Sequence, residues 1–343
     1  MLKILLTVLL AFPALAAAQQ PQAPLAPPDP FQDAVTQLKN ADPMIRRQGA
    51  DRLGQLRRPD AIPALMPLLD DSNPFVRVTA VDSLGLLRAQ PAAGRLAGLL
   101  VNDKDPGVRQ SAATSLAYIG DPSSADALAA AVQDPAAAVR YSAVRTLGAI
   151  RATKAVGVLI NALKDPDSGM RGAAAASLGL IQSPESIPAL KELLKDADSN
   201  VRAEAVRALG SIRDPAAAEG MLGLLNDPQA AVRLRAAMAL AQSGNSTGTA
   251  VAIAALREKD AVARQQAANI LGIAGDAKNA WPALNAAYVA ETDPGTRSVM
   301  EFARSQMKSR LGLKEAPQIS SQKKTASPAA PGAAPVGKPK KKS

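Results

Sequence analysis

Residues Asp103–Gln133 read DKDPGVRQSAATSLAYIGDPSSADALAAAVQ. Asp105-Pro106 is a helix start, an aspartate cap followed by proline where no amide donor is needed. Val108, Ala112, Leu116 and Ile119 then recur at three and four residues and mark one buried stripe. Gly120 is a residue that tolerates the left-handed backbone at a helix end. Asp121-Pro122 repeats the start signal, and Ala125, Leu128 and Val132 give a second helix its own stripe. The unit is a helical hairpin.

The hairpin repeats along the chain. Arginines stand at Arg46, Arg77, Arg109, Arg140, Arg171, Arg202, Arg233, Arg264 and, more loosely, Arg297, at intervals of 31, 32, then 31 five times, then 33. Three residues after each of the first eight comes Gly49, Ala80, Ala112, Ala143, Ala174, Ala205, Ala236 or Ala267. Seven after comes Leu53, Leu84, Leu116, Leu147, Leu178, Leu209, Leu240 or Leu271. A hairpin of this size cannot bury a core alone, so the units must stack. The pattern predicts an all-α fold, an alpha-solenoid: a superhelical array of about eight helical hairpins of ~31 residues. Function is then to be sought on an extended surface.

Segments such as Asp134–Gly148 (DPAAAVRYSAVRTLG) and Asp196–Gly210 (DADSNVRAEAVRALG) resemble HEAT repeats, in particular the short bacterial HEAT-like class also seen in bilin lyases. The resemblance runs over approximately Phe31–Lys308. It implies an acid–arginine ladder between units, the acid standing six residues before the arginine. That position reads Asn40, Asp71, Asp103, Asp134, Asp165, Asp196, Asp227, Glu258 and Glu291. The structural ladder is therefore expected to hold Asp71, Arg77, Asp103, Arg109, Asp134, Arg140, Asp165, Arg171, Asp196, Arg202, Asp227 and Arg233, with Asp165 as the partner of Arg171. An acid at a turn can satisfy helix amino-terminal donors while it pairs with the planar guanidinium fork.

Composition argues against catalysis. The 343 residues include no cysteine and no histidine, so disulfides, thiolate nucleophiles and the commonest metal ligand and general base are all excluded. Deoxyhypusine hydroxylase, a HEAT-like enzyme with a di-iron site of paired His-Glu motifs, is excluded on that ground. Bilin lyases serve a cytoplasmic or stromal pigment system, a setting that a secretory leader contradicts. No P-loop or dinucleotide fingerprint is present. Asn245-Ser246-Thr247 matches a glycosylation sequon, which bears only on a eukaryotic secretory route. No catalytic residue, cofactor or metal site is expected.

The chain's ends differ from its body. Lys3 precedes the apolar run Ile4–Leu15, and Ala16-Ala17-Ala18 fits the small-residue rule for signal peptidase. Residues 1–18 are expected to be a signal peptide cleaved after Ala18, with a periplasmic or secreted product. An uncleaved anchor is the alternative, disfavoured because the run is shorter than the ~20 apolar residues that span a bilayer. Residues 19–30 read as a Pro-rich linker, 31–312 as the repeat array and 313–343 as a disordered Ala/Pro/Lys-rich tail. That tail carries much of the net charge of +10 and leaves the body nearly neutral.

Three surfaces are candidate sites. On the second helices a column reads Met66, Ala97, Ala129, Ile160, Lys191 and Leu222, and its neighbour reads Pro67, Gly98, Ala130, Asn161, Glu192 and Gly223. In the resembled family second helices line the concave side, so the first column, taken as solvent-facing, is a candidate groove for a partner helix or extended segment. Eleven residues after the family arginines stand Arg57, Arg88, Arg151 and Arg213, an edge for an anionic partner or a set of cations complementing helix dipoles. The tail lysines Lys323, Lys324, Lys338, Lys340, Lys341 and Lys342 form a third, suited to anionic envelope polymer or lipid. Nucleic acid is not expected as a partner, since only 2% of residues are aromatic and the leader removes the chain from the cytoplasm. The sequence thus reads as a monomeric, non-catalytic, exported scaffold that binds another protein; an envelope-anchoring factor acting through its tail is the alternative.

Overall fold

The computed structural model describes residues 29–212 and 214–313. The expected signal peptide, residues 19–28 of the linker, Arg213 and the tail from residue 314 lie outside the described residues. All regular structure among the described residues is helical, and the fold is an all-α solenoid. Contacts divide the chain into two compact units, Met1–Asn245 and Ser246–Ser343.

In the first unit a leading helix α1 (Pro30–Gln37) is followed by pairs. The first helices are α2 (Pro43–Leu56), α4 (Pro74–Leu86), α6 (Pro106–Ile119), α8 (Ala137–Ala149), α10 (Ser168–Ile181), α12 (Ser199–Ile212) and α14 (Ala230–Gln242). The second helices are α3 (Ile62–Leu65), α5 (Ala93–Asn102), α7 (Ala125–Ala131), α9 (Val156–Ala162), α11 (Ile187–Leu193) and α13 (Pro215–Met221). The second unit holds α15 (Thr249–Ala255), α16 (Ala261–Ala274), α17 (Ala280–Ala290) and α18 (Pro294–Leu311).

Local chemistry sets the boundaries. Asp42, Asn73, Asp105 and Asp167 cap their helices with a side-chain oxygen on an amide two or three residues on. The second helix does not open directly at Asp121-Pro122. A 3-10 turn, Pro122–Ser124, precedes α7, because the Asp121 carbonyl takes the Ser124 amide three residues on.

The core is a row of leucines. Leu53, Leu84, Leu116, Leu147, Leu178, Leu209 and Leu240 from first helices, and Leu65, Leu96, Leu128, Leu159 and Leu190 from second helices, are fully buried. Each such side chain stabilises the stack by roughly 1.5–3 kcal/mol. Neighbouring first helices approach closely. A Cβ on Gly148 would lie 2.7 Å from the Ser177 Cα, and one on Gly179 would lie 2.8 Å from the Ala208 Cα. At the same seam Ser83, Thr146 and Ser177 donate their hydroxyls to the carbonyls of Ala50, Ala113 and Val144 on the preceding first helix. Small residues let the backbones meet, and the buried hydroxyls are satisfied there.

The second unit closes with a different seam. Leu271, Leu284, Met300 and Met307 form its buried interior. On the α17–α18 side, the Arg304 guanidinium lies over Tyr288 at 4.2 Å and Trp281 at 5.9 Å, and Arg297 lies over Tyr288 at 5.0 Å.

Candidate interaction surfaces

The ladder is a chain of turns tied across units. In each rung the arginine's Nε and Nη2 grip both carboxylate oxygens of the next unit: Arg46 to Asp71, Arg77 to Asp103, Arg109 to Asp134, Arg171 to Asp196, Arg202 to Asp227, and in the second unit Arg264 to Glu291. Each pair closes to 2.7 Å. The partner of Arg171 is thus Asp196 and not Asp165. Nη1 of Arg171 donates instead to the Asp165 backbone carbonyl, at 2.9 Å. Side-chain reach is the reason: six residues back along its own chain the arginine meets a turn carbonyl, and the carboxylate within its fork belongs to the following turn. Each acid also accepts the amide two residues on, as Asp134 does from Ala136 at 2.8 Å, so one carboxylate fixes its own turn and its neighbour's arginine.

One rung is open. Among the described residues the Arg140 side chain donates only to the carbonyls of Asp134 and Pro135, and the Asp165 carboxylate accepts only the Asp167 amide. Arg233 likewise donates to the carbonyls of Asp227 and Pro228.

The closed rungs shift their acids together. The Arg46 fork holds Asp71 below the usual carboxylate range, and the same cause acts on Asp134, Asp196, Asp227 and Glu291 through Arg109, Arg171, Arg202 and Arg264. In Asp103 burial is the largest influence and acts upward, yet Arg77 and the Asp105 amide together carry the group down. Asp82 moves the other way: burial pushes its carboxyl up, opposed by the Ser111 hydroxyl that donates to it. Among the described residues no group of three or more acids is placed to hold a metal ion, and no helix is long and apolar enough to cross a membrane.

The second-helix column expected to face solvent is offset by one residue. Met66, Ala97, Ala129, Ile160 and Lys191 are half-buried, with Met66, Ala97 and Ile160 packed against the core; of that column Leu222 is exposed. The solvent-facing column is the neighbour, Pro67, Gly98, Ala130, Asn161, Glu192 and Gly223. In an α-helix a residue four positions after a core residue returns to nearly the same face, so Ala97 and Ala129, four after the buried Ala93 and Ala125, stay half-buried and the next residue faces solvent. Around Gly94, Gly98, Gly157 and Gly223 a Cβ would meet nothing within 4 Å.

Sequence reasoning missed a hollow on the first-helix face. It encloses about 750 Å³ and spans α6, α8, α10 and α12. Its floor is Gly169, Gly172, Ala173 and Ala176 of α10, and its walls carry Tyr118, Tyr141, Arg145, Leu180, Glu204 and Arg207. Tyr118 and Leu180 are 54% and 45% exposed, Arg145 lies over the Tyr141 ring, and Arg207 is paired with Glu204. The signal was present in the sequence as glycines and alanines on the outer side of α10 where neighbouring units carry large side chains. A smaller hollow of about 550 Å³ lies between α2 and α4 around the exposed Met44 and Phe75.

On the arginine edge, Arg57, Arg88 and Arg151 stand at the carboxyl ends of first helices, each exposed. All three have positive φ, 52°, 48° and 52°.

Stacked helical hairpins, tied by an arginine–acid ladder, define a helical-repeat solenoid. The HEAT repeats family matches residues 32–113, 95–168, 156–231 and 218–303, and the chain belongs to that family. No curated protein sequence matches the chain. Among solved structures it is similar to YibA of Escherichia coli (24% identity, TM-score 0.55, covering 76% of this chain and 95% of that one). It also matches the complex of CpcE and CpcF of phycocyanin lyase from Nostoc sp. PCC7120 (27% identity, TM-score 0.43, 68% and 96% covered) and human deoxyhypusine hydroxylase (21% identity, TM-score 0.33, 62% and 84% covered). The YibA likeness is one of fold.

Proposed function

We propose that the protein is a non-catalytic scaffold, exported from the cytoplasm of a bacterium, that seats a segment of a partner protein on the face of its second helices. The observation that supports this reading is the smooth, small-residue surface of the early repeats. Pro63 and Pro67, Gly94 and Gly98, and Ala130 are exposed there, and the glycines leave open space above the backbone. Such a surface admits another backbone closely and loses little side-chain entropy on contact. The absence of histidine and cysteine from the sequence supports the non-catalytic part. The leader-like residues 1–18 support export. An envelope-anchoring role for the lysine-rich tail is the alternative, and it places no demand on the repeats.

The tyrosine-walled hollow favours a second reading, in which the partner lies on the first-helix face, because exposed tyrosines flanked by arginine are typical anchors of protein interfaces. Site-specific photo-crosslinking in intact cells tests both. A crosslinking residue at Ala130 is expected to give one discrete adduct and one at Tyr118 none, and the adduct is expected to contain a mature chain beginning near Gln19. Adducts from Tyr118 alone move the site to the hollow. A chain retaining Met1 in the cytosol removes export from the account.

A further inference from the structure

Eleven residues after the family arginine the first helix ends in a left-handed residue in six described units, at Arg57, Arg88, Gly120, Arg151, Gln182 and Gly244, whereas Gly275, at the same offset in the second unit, has φ −64°. In two units glycine fills it, Gly120 with φ 74° and Gly244 with φ 83°. Glycine is the residue that reaches this conformation without a steric penalty from Cβ. Gln182, at φ 61°, has a side chain that bridges to the next unit by donating to the Ser211 carbonyl at 2.9 Å. Arg57, Arg88 and Arg151 have no such bridge. Their guanidinium groups make no hydrogen bond, ion pair or ring contact among the described residues, although the neighbouring Arg58 is paired with Asp60 at 2.6 Å. Three arginines therefore hold a conformation that suits glycine while their charges point into solvent. Non-glycine residues in this region carry a backbone cost and cluster at functional positions.

We propose that Arg57, Arg88 and Arg151 form a spaced row of cation sites for an extended acidic polypeptide segment, independent of which helix face holds the rest of the partner. The spacing follows from the repeat. Adjacent first helices lie roughly 8–10 Å apart, and an extended chain in the polyproline II conformation rises roughly 3.1 Å per residue with three residues per turn, so that side chains three apart share a face. One repeat thus corresponds to about three residues of ligand. Arg57 and Arg88 belong to adjacent units, whereas the unit between Arg88 and Arg151 carries Gly120. The fitting segment has a first carboxylate, a second three residues on, and a third six residues beyond that. Guanidinium groups bind carboxylates through paired donors, which makes such a row selective for position as well as for charge. The cations also complement the helix carboxyl ends, but that effect would be served in every unit and gives no reason for a partner to read the spacing.

The test uses the full chain and two fluorescent peptides of identical composition, one with three aspartates in the stated spacing and one with them adjacent. The lysine-rich tail attracts both alike, so the difference between them reports the row. Fluorescence anisotropy is expected to show the spaced peptide binding about tenfold more tightly, less so as salt rises. Replacing Arg57, Arg88 and Arg151 together by glycine is expected to erase that preference while leaving the melting temperature unchanged or higher, since glycine relieves the left-handed strain. Arg88→Gln, which keeps a long polar side chain, is expected to weaken the preference about threefold. Equal binding of the two peptides overturns the proposal, as does a preference that survives the glycine variant. Binding of phosphatidylglycerol vesicles that depends on the three arginines, without any peptide preference, also overturns it and assigns the row to a lipid surface.

Discussion

Arg202 and Arg140 hold equivalent positions and differ in one contact. Arg202 grips Asp227, whose side chain is only 3% exposed, and also donates to the Asp196 carbonyl at 2.8 Å. Arg140 keeps the carbonyl contacts and has no acid in its fork. Removing one member of a well-buried pair costs about 3–5 kcal/mol, and an exposed pair contributes at most about 1. The Asp227 rung lies between these limits, so Arg202→Ala is expected to destabilise the first unit by about 2–3 kcal/mol. Arg140→Ala, which loses backbone hydrogen bonds alone, is expected to cost about 1 kcal/mol. Urea titration of both variants checks the order, and equal losses would show that the carboxylate contributes nothing beyond the turn contacts. Reading the arginine and acid columns in the sequence was enough to name the residues but not their pairing. Six residues of separation suggested that Arg171 meets Asp165, whereas the fork closes on Asp196, and only the stacking of units brings those two together.

Glycine has opposite meanings on the two helices of a unit. On α8, Gly148 sits where its neighbour's backbone is 2.7 Å from any added Cβ, so Gly148→Ala is expected to destabilise by about 1–3 kcal/mol through overpacking. On α5, Gly98 faces open space, and Gly98→Ala is expected to stabilise by about 0.5–1 kcal/mol because alanine is the better helix former. Thermal melts of the two variants should move in opposite directions; a gain for Gly148→Ala would mean that the first helices do not approach as described. At this scale the sequence was largely legible, because proline, aspartate and glycine mark helix ends by their own chemistry. The phase of the second helices was legible too, but one residue on from the expected column: Ala129 stands four residues after the buried Ala125 and so returns toward the core side of α7, which leaves Ala130 facing solvent. The hollow over α10 was hidden: its glycines and alanines read as helix-compatible filler until Tyr118, Tyr141 and Arg207 on three other helices stand around them.

Across the whole molecule the ladder carboxylates couple stability to pH. Asp71, Asp103, Asp134, Asp196, Asp227 and Glu291 are all held below their ordinary values in the folded chain. A depressed carboxylate contributes stability above its unfolded value, roughly 4, and loses it as pH falls through the lower folded value. Stability is therefore expected to be flat through neutral pH and to fall below about pH 4, with helicity followed by circular dichroism as the check. A decline already complete at pH 6 would point to other groups. The same repeated surface carries the functional claim, and one binding measurement tests it most directly. Ala130→Glu places a charge on the exposed second-helix face and, as a surface change, is expected to alter stability by no more than about 0.5 kcal/mol. Gln110→Glu places the same charge on the exposed side of α6. With the crosslinked partner purified, titration calorimetry is expected to show at least about tenfold weaker binding for Ala130→Glu, since an unpaired charge must be desolvated in the contact, and parental binding for Gln110→Glu. Parental binding by Ala130→Glu together with loss in Gln110→Glu would contradict the account and place the partner on the first helices.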